Sequence, residues 1–423
     1  MKKNTFLAII AFSTSFVNAQ WQQTNYSFNG YFFTSQQMAT NGTDVYVSND
    51  SSGIYRTTDN GNTWSTVNNG LPINPNVQAL AISGTNIFAG LSYDGLYLST
   101  NDGNSWTHLT NGLPTGFFSP SAFAISRSNI FVGTGIRSST ASQNGIYLST
   151  NNGSNWIAVN NGLPANDNIT TLAISGTNIF AGTESHGIFL STNNGSNWIA
   201  ANGTLFSTNT IESLAIKNSN VFVTSSSSSQ GGIYLSANNG SSWSTANNGI
   251  SFAQYCTFYA IAINSSNVFT AGLSLMSGSN VVYLSNNDGS NWTNFSNGLP
   301  AWSGNNTIKS LVVNNLNVFA GTQDGKVWSR ALSKITGIEK NNTSENIVIF
   351  PNPAQNEITI QNPIATTNSL ISIRNIQGQE LIKENINQNS ISKIDISNLD
   401  NGVYFIELKN EKGNYISKFV IQK

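Results

Sequence analysis

The ten residues STNNGSNWIA occur twice in this chain of 423 residues, at Ser149–Ala158 and again at Ser191–Ala200. Their first eight residues, which end at a tryptophan, recur with substitutions at Thr57–Trp64, Ser99–Trp106, Ser236–Trp243 and Ser285–Trp292. Successive tryptophans of the six copies are 42, 50, 42, 45 and 49 positions apart. A period in the forties is the length of one four-stranded propeller blade, so the repeat predicts a β-propeller.

The residues between the copies read as short strands, because β-branched and aromatic runs are bounded by Gly, Asn and Ser, and no helical period competes. Six fourth strands follow a copy of the motif, whereas seven third strands can be counted: Ile54-Tyr55, Leu96-Tyr97, Ile146-Tyr147, Ile188-Phe189, Ile233-Tyr234, Val282-Tyr283 and Val327-Trp328. The N-terminal segment Trp21–Thr24 has the pattern of the missing fourth strand. We therefore expect a seven-bladed propeller over residues 20–333, closed by this N-terminal strand so that no blade keeps an unpaired edge.

The repeated octapeptide resembles the Asp-box, the S/T-x-D-x-G-x-T-W signature of sialidase-like (BNR) repeat propellers. Asp59 holds the aspartate position in the first copy, and asparagine holds it in the other five. The resemblance implies a hairpin joint between third and fourth strands, at the periphery and away from any active site. The residues expected to build these joints are Asp59, Gly61, Trp64, Gly103, Trp106, Gly153, Trp156, Gly195, Trp198, Gly240, Trp243, Gly289 and Trp292.

In each joint, the glycine permits a left-handed backbone, the Ser, Thr and Asx oxygens accept turn amides, and the tryptophan is an apolar wedge. Because most of the Asx residues are neutral amides, they do not form a calcium site, which usually depends on several carboxylates. The sequence therefore predicts no metal and no cofactor.

The first 19 residues have the pattern of a secretory signal peptide. Lys2 and Lys3 form a basic start, Phe6–Phe16 is mostly apolar, and Val17–Ala19 provides small residues for cleavage before residue 20. No later stretch approaches the length of a membrane-spanning helix. We expect an exported, soluble chain.

Charge divides the remainder into two regions. Residues 20–333 contain 7 Lys and Arg and 10 Asp and Glu, whereas the much shorter region 338–423 contains 8 and 9. Seven basic side chains are too few for a stripe that follows phosphates, which excludes a nucleic-acid partner. Cys256 is the only cysteine and lies in an apolar run, so it is predicted to be a buried hydrophobe.

Ligands of propellers usually meet the face formed by the loops between second and third strands and by the links between blades. Aromatic, Asn and Ser side chains dominate these segments here, which suits stacking and hydrogen bonding to a neutral sugar or a protein loop. Alternatively, the aromatics only plug the ends of the blades. The candidate ligand-binding residues are Tyr93, Asp94, Arg137, Asp167, Glu184, His186, Trp302 and Asp324.

Catalysis is less favoured. Sialidases of this family need several converging arginines and an Arg-Ile-Pro signature, which is absent, and residues 20–333 contain only Arg56, Arg127, Arg137 and Arg330. Hydrolysis of a neutral glycan needs two carboxylates about 5 to 10 Å apart, and the sequence cannot bring two together. We assign no catalytic residue. The leading hypothesis is a non-catalytic propeller that binds a glycan or a protein; the alternative is a carbohydrate-active enzyme, a glycoside hydrolase or a polysaccharide lyase, with its site on the loop-rich face.

A polar linker at 334–346 precedes residues 347–423, whose alternating strands predict a small Ig-like sandwich. This segment resembles the C-terminal sorting domain of type IX secretion substrates in Gram-negative bacteria. The residues that carry the resemblance are Pro351-Asn352-Pro353, Gly378, Ile394–Leu399, Asn401–Phe405 and Lys418–Val420. It implies recognition by the type IX secretion machinery and a secreted or surface-exposed product; an ordinary Ig-like module is the alternative.

Overall fold

The structure, a computed structural model, divides the chain into two compact units, Met1–Ile335 and Thr336–Lys423. The residues that it describes are 20–26, 37–49, 52–114, 119–135, 144–165, 167–203, 209–226, 231–251, 253–334, 348–361, 369–375, 379–386, 391–410 and 413–423. The expected signal peptide, Arg137 of the candidate site, the Gly378 turn and most of the expected linker lie outside them.

Seven four-stranded antiparallel sheets account for the described strands of the first unit, and they are numbered here 1 to 7 along the chain. In sheets 1 to 6 the strands pair in chain order. Their strands are Met38–Thr40, Val45–Asn49, Gly53–Thr57 and Ser65–Thr66 (sheet 1); Val77–Ser83, Asn86–Leu91, Gly95–Ser99 and Thr107–Leu109 (sheet 2); Pro120–Ser126, Asn129–Thr134, Gly145–Ser149 and Ile157–Ala158 (sheet 3); Ile169–Ser175, Asn178–Thr183, Ile188–Ser191 and Ile199–Ala200 (sheet 4); Thr210–Lys217, Asn220–Ser226, Gly232–Ser236 and Ser244–Thr245 (sheet 5); Cys256–Ile263, Val268–Ser274, Ser279–Ser285 and Thr293–Asn294 (sheet 6). Sheet 7 contains Ile308–Val313, Asn317–Thr322, Val327–Ala331 and, from the N-terminus, Gln22–Gln23.

The first strands of the sheets form a ring. Each contacts the first strand of the next sheet, and Ile308–Val313 of sheet 7 contacts Met38–Thr40 of sheet 1. Side chains from all seven first strands line a cavity of about 520 Å³. The unit is therefore a β-propeller whose first strands surround a central channel.

Close packing between neighbouring sheets explains the glycine that recurs in the second strands. A Cβ atom at Gly90 of sheet 2 would lie 2.4 Å from Pro120 of sheet 3, and one at Gly133 of sheet 3 would lie 2.5 Å from Ile169 of sheet 4. Distances under 3 Å are clashes, so these positions exclude larger residues. The aromatic residues beside them, such as Phe88 and Phe131, are almost completely buried between sheets.

Each copy of the repeated octapeptide forms the turn between a third and a fourth strand. In the copy at Ser149–Trp156, the Ser149 hydroxyl donates to Asn151 Oδ1 (2.9 Å) and accepts from the Gly153 amide (2.8 Å). Asn151 Oδ1 also accepts from the Asn155 amide (2.9 Å), and Gly153 has a φ of 88°. The fourth strands are only two or three residues long and begin after the tryptophan, because the tryptophan itself packs against the preceding sheet.

The tryptophan occupies a seat on the preceding sheet. The Trp106 amide donates to Asn69 O (2.9 Å), and its indole Nε1 donates to Val67 O (2.7 Å). Trp198 repeats both bonds with the sheet before it. The glycine after the acceptor asparagine leaves room for the backbone: a Cβ at Gly70 would lie 2.4 Å from Trp106 O. We call this arrangement the tryptophan seat.

Trp21 occupies the same kind of seat without a repeat motif before it. Its amide donates to Asn297 O (2.9 Å), its Nε1 donates to Phe295 O (2.7 Å), and its side chain is 2% exposed. The next two residues pair with the third strand of sheet 7. The N-terminal segment thus supplies the fourth strand of the last sheet.

The second unit has two antiparallel sheets. One contains Val348–Phe350, Glu357–Gln361 and Ile391–Asp395; the other contains Ser369–Asn375, Glu380–Ile386, Gly402–Asn410 and Gly413–Ile421. Both contribute to one buried cluster that includes Ile358, Ile371 and Phe419, so the two sheets enclose a common apolar core.

Replacing Trp21 by alanine should lower the free energy of unfolding by about 3 to 5 kcal/mol, because a buried indole loses its packing and its Nε1 bond to Phe295, while the backbone amide bond to Asn297 remains. Denaturant titration measures the change. Gln22→Ala is the matched control: its side chain is exposed and its backbone pairing is retained, so the change should stay within about 0.5 kcal/mol. Equal effects of the two substitutions would contradict the role of the seat.

Asp59 gives the first turn a dependence on pH that the asparagine turns lack. Hydrogen bonds from the Thr63 side chain and amide lower the pKa of Asp59. A carboxyl group whose pKa is lower in the folded state than in the unfolded state stabilises the fold at pH values above its unfolded-state pKa, which is near 4. This stabilisation is lost as the pH falls through the folded-state pKa. In denaturant titrations between pH 7 and 3, the protein should therefore lose stability relative to Asp59→Asn below about pH 4. Parallel curves would contradict this assignment.

Candidate functional site

The loops between second and third strands lie beside the segments that precede the first strands. The Ser92 amide donates to Asn76 O (2.8 Å), the Glu184 amide donates to Asn168 O (3.0 Å), and the Gln323 amide donates to Thr307 O (2.8 Å). These bonds hold both kinds of segment at one end of the sheets. We call this end the loop face.

Asp167 and His186 come together on the loop face of sheet 4. Asp167 Oδ2 lies 2.7 Å from His186 Nδ1, and Asp167 Oδ1 accepts from the Asn168 amide (2.9 Å). The Asp167 side chain is 3% exposed and the His186 side chain is 54% exposed. The carboxylate therefore fixes the orientation of an exposed imidazole and has both oxygens engaged.

Glu184 lies next to this pair. Asn168 Nδ2 donates to Glu184 Oε2, and the Thr210 hydroxyl donates to Glu184 O (2.9 Å), which ties the loop to sheet 5. Three of the candidate residues, Asp167, Glu184 and His186, thus form one connected group around Asn168.

The other candidates lie elsewhere on the loop face. Tyr93 is 65% exposed, and Asp94 follows it in the turn of sheet 2. Asp324 is held in its own turn, where it accepts from the Thr322 hydroxyl (2.5 Å) and pairs with Lys326 (3.0 Å). Trp302 Nε1 donates to the Thr307 hydroxyl (3.1 Å). Among the described residues, no hydrogen bond or ion pair joins Asp94 or Asp324 to the group around Asn168.

Sheets 6 and 7 expose a group of large apolar side chains at the loop face. Leu275 is 64% exposed, Met276 61%, Tyr255 48% and Trp302 40%. The Leu275 amide donates to Tyr255 O (2.9 Å), and an antiparallel bridge between Ser279 and Ala301 connects the two sheets beside them. We call these four residues the apolar patch.

The channel contains candidate functional residues that the sequence analysis missed. In sheets 2 to 7, the pairing of first and second strands shifts by one residue at the same place, which leaves one unpaired residue in each first strand. Such β-bulges re-aim a side chain. The six bulge residues differ from one another: Gln78, Ser121, Thr170, Glu212, Tyr259 and Lys309.

Three neighbouring bulge residues, the charged Glu212 and Lys309 and the neutral Tyr259, form a polar cluster in the channel. Lys309 Nζ lies 3.3 Å from the centroid of the Tyr259 ring, and the Ser226 hydroxyl donates to Glu212 Oε1 (2.5 Å). Burial raises the pKa of Glu212 and lowers the pKa of Lys309; each shift is partly opposed by the charge of the other residue. Burial also raises the pKa of Tyr259. The negative charge of Glu184 raises the pKa of Glu212 further, so the group around Asn168 acts electrostatically on the channel.

One sequence signal could have indicated this site. Glu212 and Lys309 are charged residues inside first strands, in a region that has few charges. Because alternate residues of a strand face opposite sides, the alternation alone did not distinguish a channel-facing side chain from one that faces a neighbouring sheet.

Within the described part of the chain, no group of His, Cys, Asp and Glu is arranged to hold a metal ion. The helices in that part are all too short and too polar to cross a bilayer. Cys256 is buried, as expected from its apolar surroundings.

Family models match both regions of the chain. Residues 7–205 match the DUF6242 beta propeller domain, and residues 348–422 match the secretion system C-terminal sorting domain. No curated protein matches the chain. The chain carries a β-propeller domain and a type IX secretion C-terminal sorting domain. It is therefore an exported protein, secreted or held on the cell surface.

Solved structures resemble the propeller at low identity. YCF48 bound to D1 peptide is 15% identical with a TM-score of 0.55, and the match covers 76% of this chain and 97% of that chain. The GH74 xyloglucanase from Xanthomonas campestris is 13% identical with a TM-score of 0.57, covering 81% and 59%. The GH74 enzyme from Niastella koreensis is 16% identical with a TM-score of 0.54, covering 94% and 73%. Identities this low show a common fold alone.

A chain truncated after residue 337 should accumulate in the periplasm, because it lacks the domain that the secretion machinery recognises. Cell fractionation and immunoblotting of the native host measure its distribution. Lys393→Gln, which removes one exposed ion pair of the domain, is the control and should be exported normally. Surface delivery of the truncated chain would contradict a sorting role.

Proposed function

We propose that this protein is a non-catalytic, exported β-propeller that binds a peptide segment of an extracellular protein at its loop face. The observation that carries the proposal is the apolar patch of Tyr255, Leu275, Met276 and Trp302 on the loop face.

In finer detail, we propose a seven-bladed Asp-box propeller over residues 20–333, clasped by the strand at Trp21. A signal peptide at 1–19 would precede it, and a linker at 334–346 would lead to an Ig-like sorting domain at 347–423. The seven sheets, the closed ring of first strands and the repeated turn geometry support the propeller assignment.

The chemistry of the patch favours a peptide over a sugar. Sugar sites rely on aromatic faces with hydrogen-bonding groups around them, whereas Leu275 and Met276 offer flexible aliphatic surface that suits apolar side chains. A group of four exposed large apolar side chains on a secreted protein indicates a binding surface. The similar fold of YCF48, which has been solved bound to a peptide, supports this choice.

The group around Asn168 has the geometry of a recognition element. Asp167 is buried with both oxygens hydrogen-bonded, so it orients His186 and is not available as a second catalytic carboxylate. The imidazole remains exposed and can donate or accept a hydrogen bond at the loop face.

One observation favours a carbohydrate-active enzyme as the second candidate. Glu212 has a raised pKa, as a general acid requires, and the negative charge of Glu184 contributes to this raised pKa. The similar GH74 folds agree with this alternative. Under this reading, Glu212 would protonate a leaving group at the mouth of the channel.

The proposal can be tested by selecting peptides that bind the purified full chain from a display library of random twelve-residue sequences. Selected peptides should bind about tenfold or more weakly to Leu275→Ser and to Trp302→Ala, because each substitution removes buried apolar contact. Leu316→Ser is the matched control, since Leu316 is similarly exposed (60%) but lies between the first and second strands of sheet 7, at the opposite end. The selected peptides should bind Leu316→Ser as tightly as they bind the unaltered chain.

A glycan array and a polysaccharide-degradation screen run beside the library separate the alternatives. Product formation that is lost in Glu212→Gln or Glu184→Gln would overturn the non-catalytic assignment. Binding of glycans with no selected peptide would overturn the choice of a peptide partner.

A further inference from the structure

Lys309 is a half-buried cation that has no hydrogen-bond acceptor among the residues that the structure describes. It is the bulge residue of sheet 7, and its side chain lines the channel. Among the described residues, its ammonium group forms no hydrogen bond and no ion pair, and its one close partner is the ring of Tyr259 at 3.3 Å. A ring face attracts a cation, but it provides no lone pair for the three N–H donors.

Glu212 does not neutralise Lys309 by direct contact. Its Oε1 is engaged by the Ser226 hydroxyl, and no ion pair in the described part of the chain joins it to Lys309, whose ammonium group lies over the Tyr259 ring. Burial disfavours both charges, as their opposite pKa shifts indicate. A ligand that brings negative charge to Lys309 would complete the hydrogen bonds of the ammonium group and would be favoured further when Glu212 is neutral.

The position of Lys309 also fits a ligand that lies on the apolar patch. Lys309 follows Thr307 by two residues, and Thr307 accepts the indole hydrogen of Trp302. Trp302 of the patch and Lys309 are therefore held close together at the start of sheet 7, and one extended peptide, at about 3.3 Å per residue, can contact both.

We propose that Lys309 binds a carboxylate of the partner peptide, from an acidic side chain or from a free carboxyl terminus, inside the mouth of the channel. This inference rests on the proposed peptide-binding function. The proposed binding surface then has two parts: the apolar patch, which binds apolar side chains, and a channel subsite, which binds one negatively charged group.

Reciprocal substitutions test the subsite with peptides that differ in one group. Acidic peptides should bind Lys309→Gln about tenfold or more weakly, because a charge-assisted bond is lost. They should bind Glu212→Gln more tightly, because the substitution removes a repelling charge and retains an acceptor for Ser226. Peptides with Gln in place of Glu and an amidated end should bind both variants as they bind the unaltered chain. A purely structural role would weaken all peptides together and would overturn the proposal.

Lys326→Gln is the matched control for charge. Lys326 lies at the loop face of the same sheet and is 47% exposed, so its removal changes the net charge equally without altering the channel. Acidic peptides should bind this variant nearly as tightly as they bind the unaltered chain. A loss equal to that of Lys309→Gln would indicate long-range attraction and would overturn the subsite.

Comparing free with amidated ends and Glu with Gln in one peptide separates the two sources of the carboxylate.

A small probe makes the test independent of the peptide library. N-acetylglutamate N-methylamide can be titrated into the full chain labelled with ¹³C in its lysine side chains, where the Lys309 signal is identified by its absence from Lys309→Gln. The signal should shift saturably with this probe and not with N-acetylglutamine N-methylamide. No shift, or equal shifts, would overturn the subsite. A shift at Lys309 without any patch-dependent peptide would instead overturn the proposed function and keep the subsite.

Discussion

The tryptophan seat is the interaction on which the propeller depends. A sheet with four short strands cannot bury both faces alone, so it must join its neighbour through a defined contact. The seat provides this contact with two directional bonds and one large apolar surface: Trp106 binds Asn69 and Val67 of the preceding sheet, and Gly70 leaves space for its backbone. The same two bonds recur at Trp198, Trp292 and Trp21, whereas the Trp156 amide keeps the bond to the preceding sheet and its indole donates to Gly153 O in its own turn.

Closure follows from the same contact. Sheet 7 lacks a repeat motif after its third strand, yet Trp21 makes the two bonds that a motif tryptophan makes. The turn and the seat are therefore separable: the octapeptide shapes the hairpin, whereas the tryptophan and its acceptor residues join the sheets. Asparagine can replace aspartate in five turns because the turn uses one oxygen as an acceptor and does not need its charge.

This separation explains which features the sequence could predict. The repeat spacing and Trp21 indicated the sheets and the N-terminal strand, because both are encoded in local patterns. The contact of Asp167 with His186 bridges 19 positions and depends on how two loops meet, which no local pattern records. The sequence analysis did not predict the channel residues for a different reason. A one-residue bulge changes which side of the sheet a strand residue faces, and the sequence around Glu212 or Lys309 does not distinguish a bulge from regular alternation.

The scarcity of charge in this unit increases the effect of the few charges placed in the channel. On a surface of Asn, Ser, Thr and Gly, the charge of Glu212 only partly offsets the cost of burying the Lys309 ammonium group, and the interaction between two charges grows as water is excluded. A scaffold that uses neutral amides for its joints can therefore repeat them without building up charge. The bulge side chains differ from one another: those of Ser121, Thr170, Glu212, Tyr259 and Lys309 line the channel, and Ser121 and Thr170 also donate to the first strand of the next sheet. The outer joints repeat because they hold the sheets together, whereas the inner bulge positions vary in residue type, which leaves them available for the binding role proposed for Lys309.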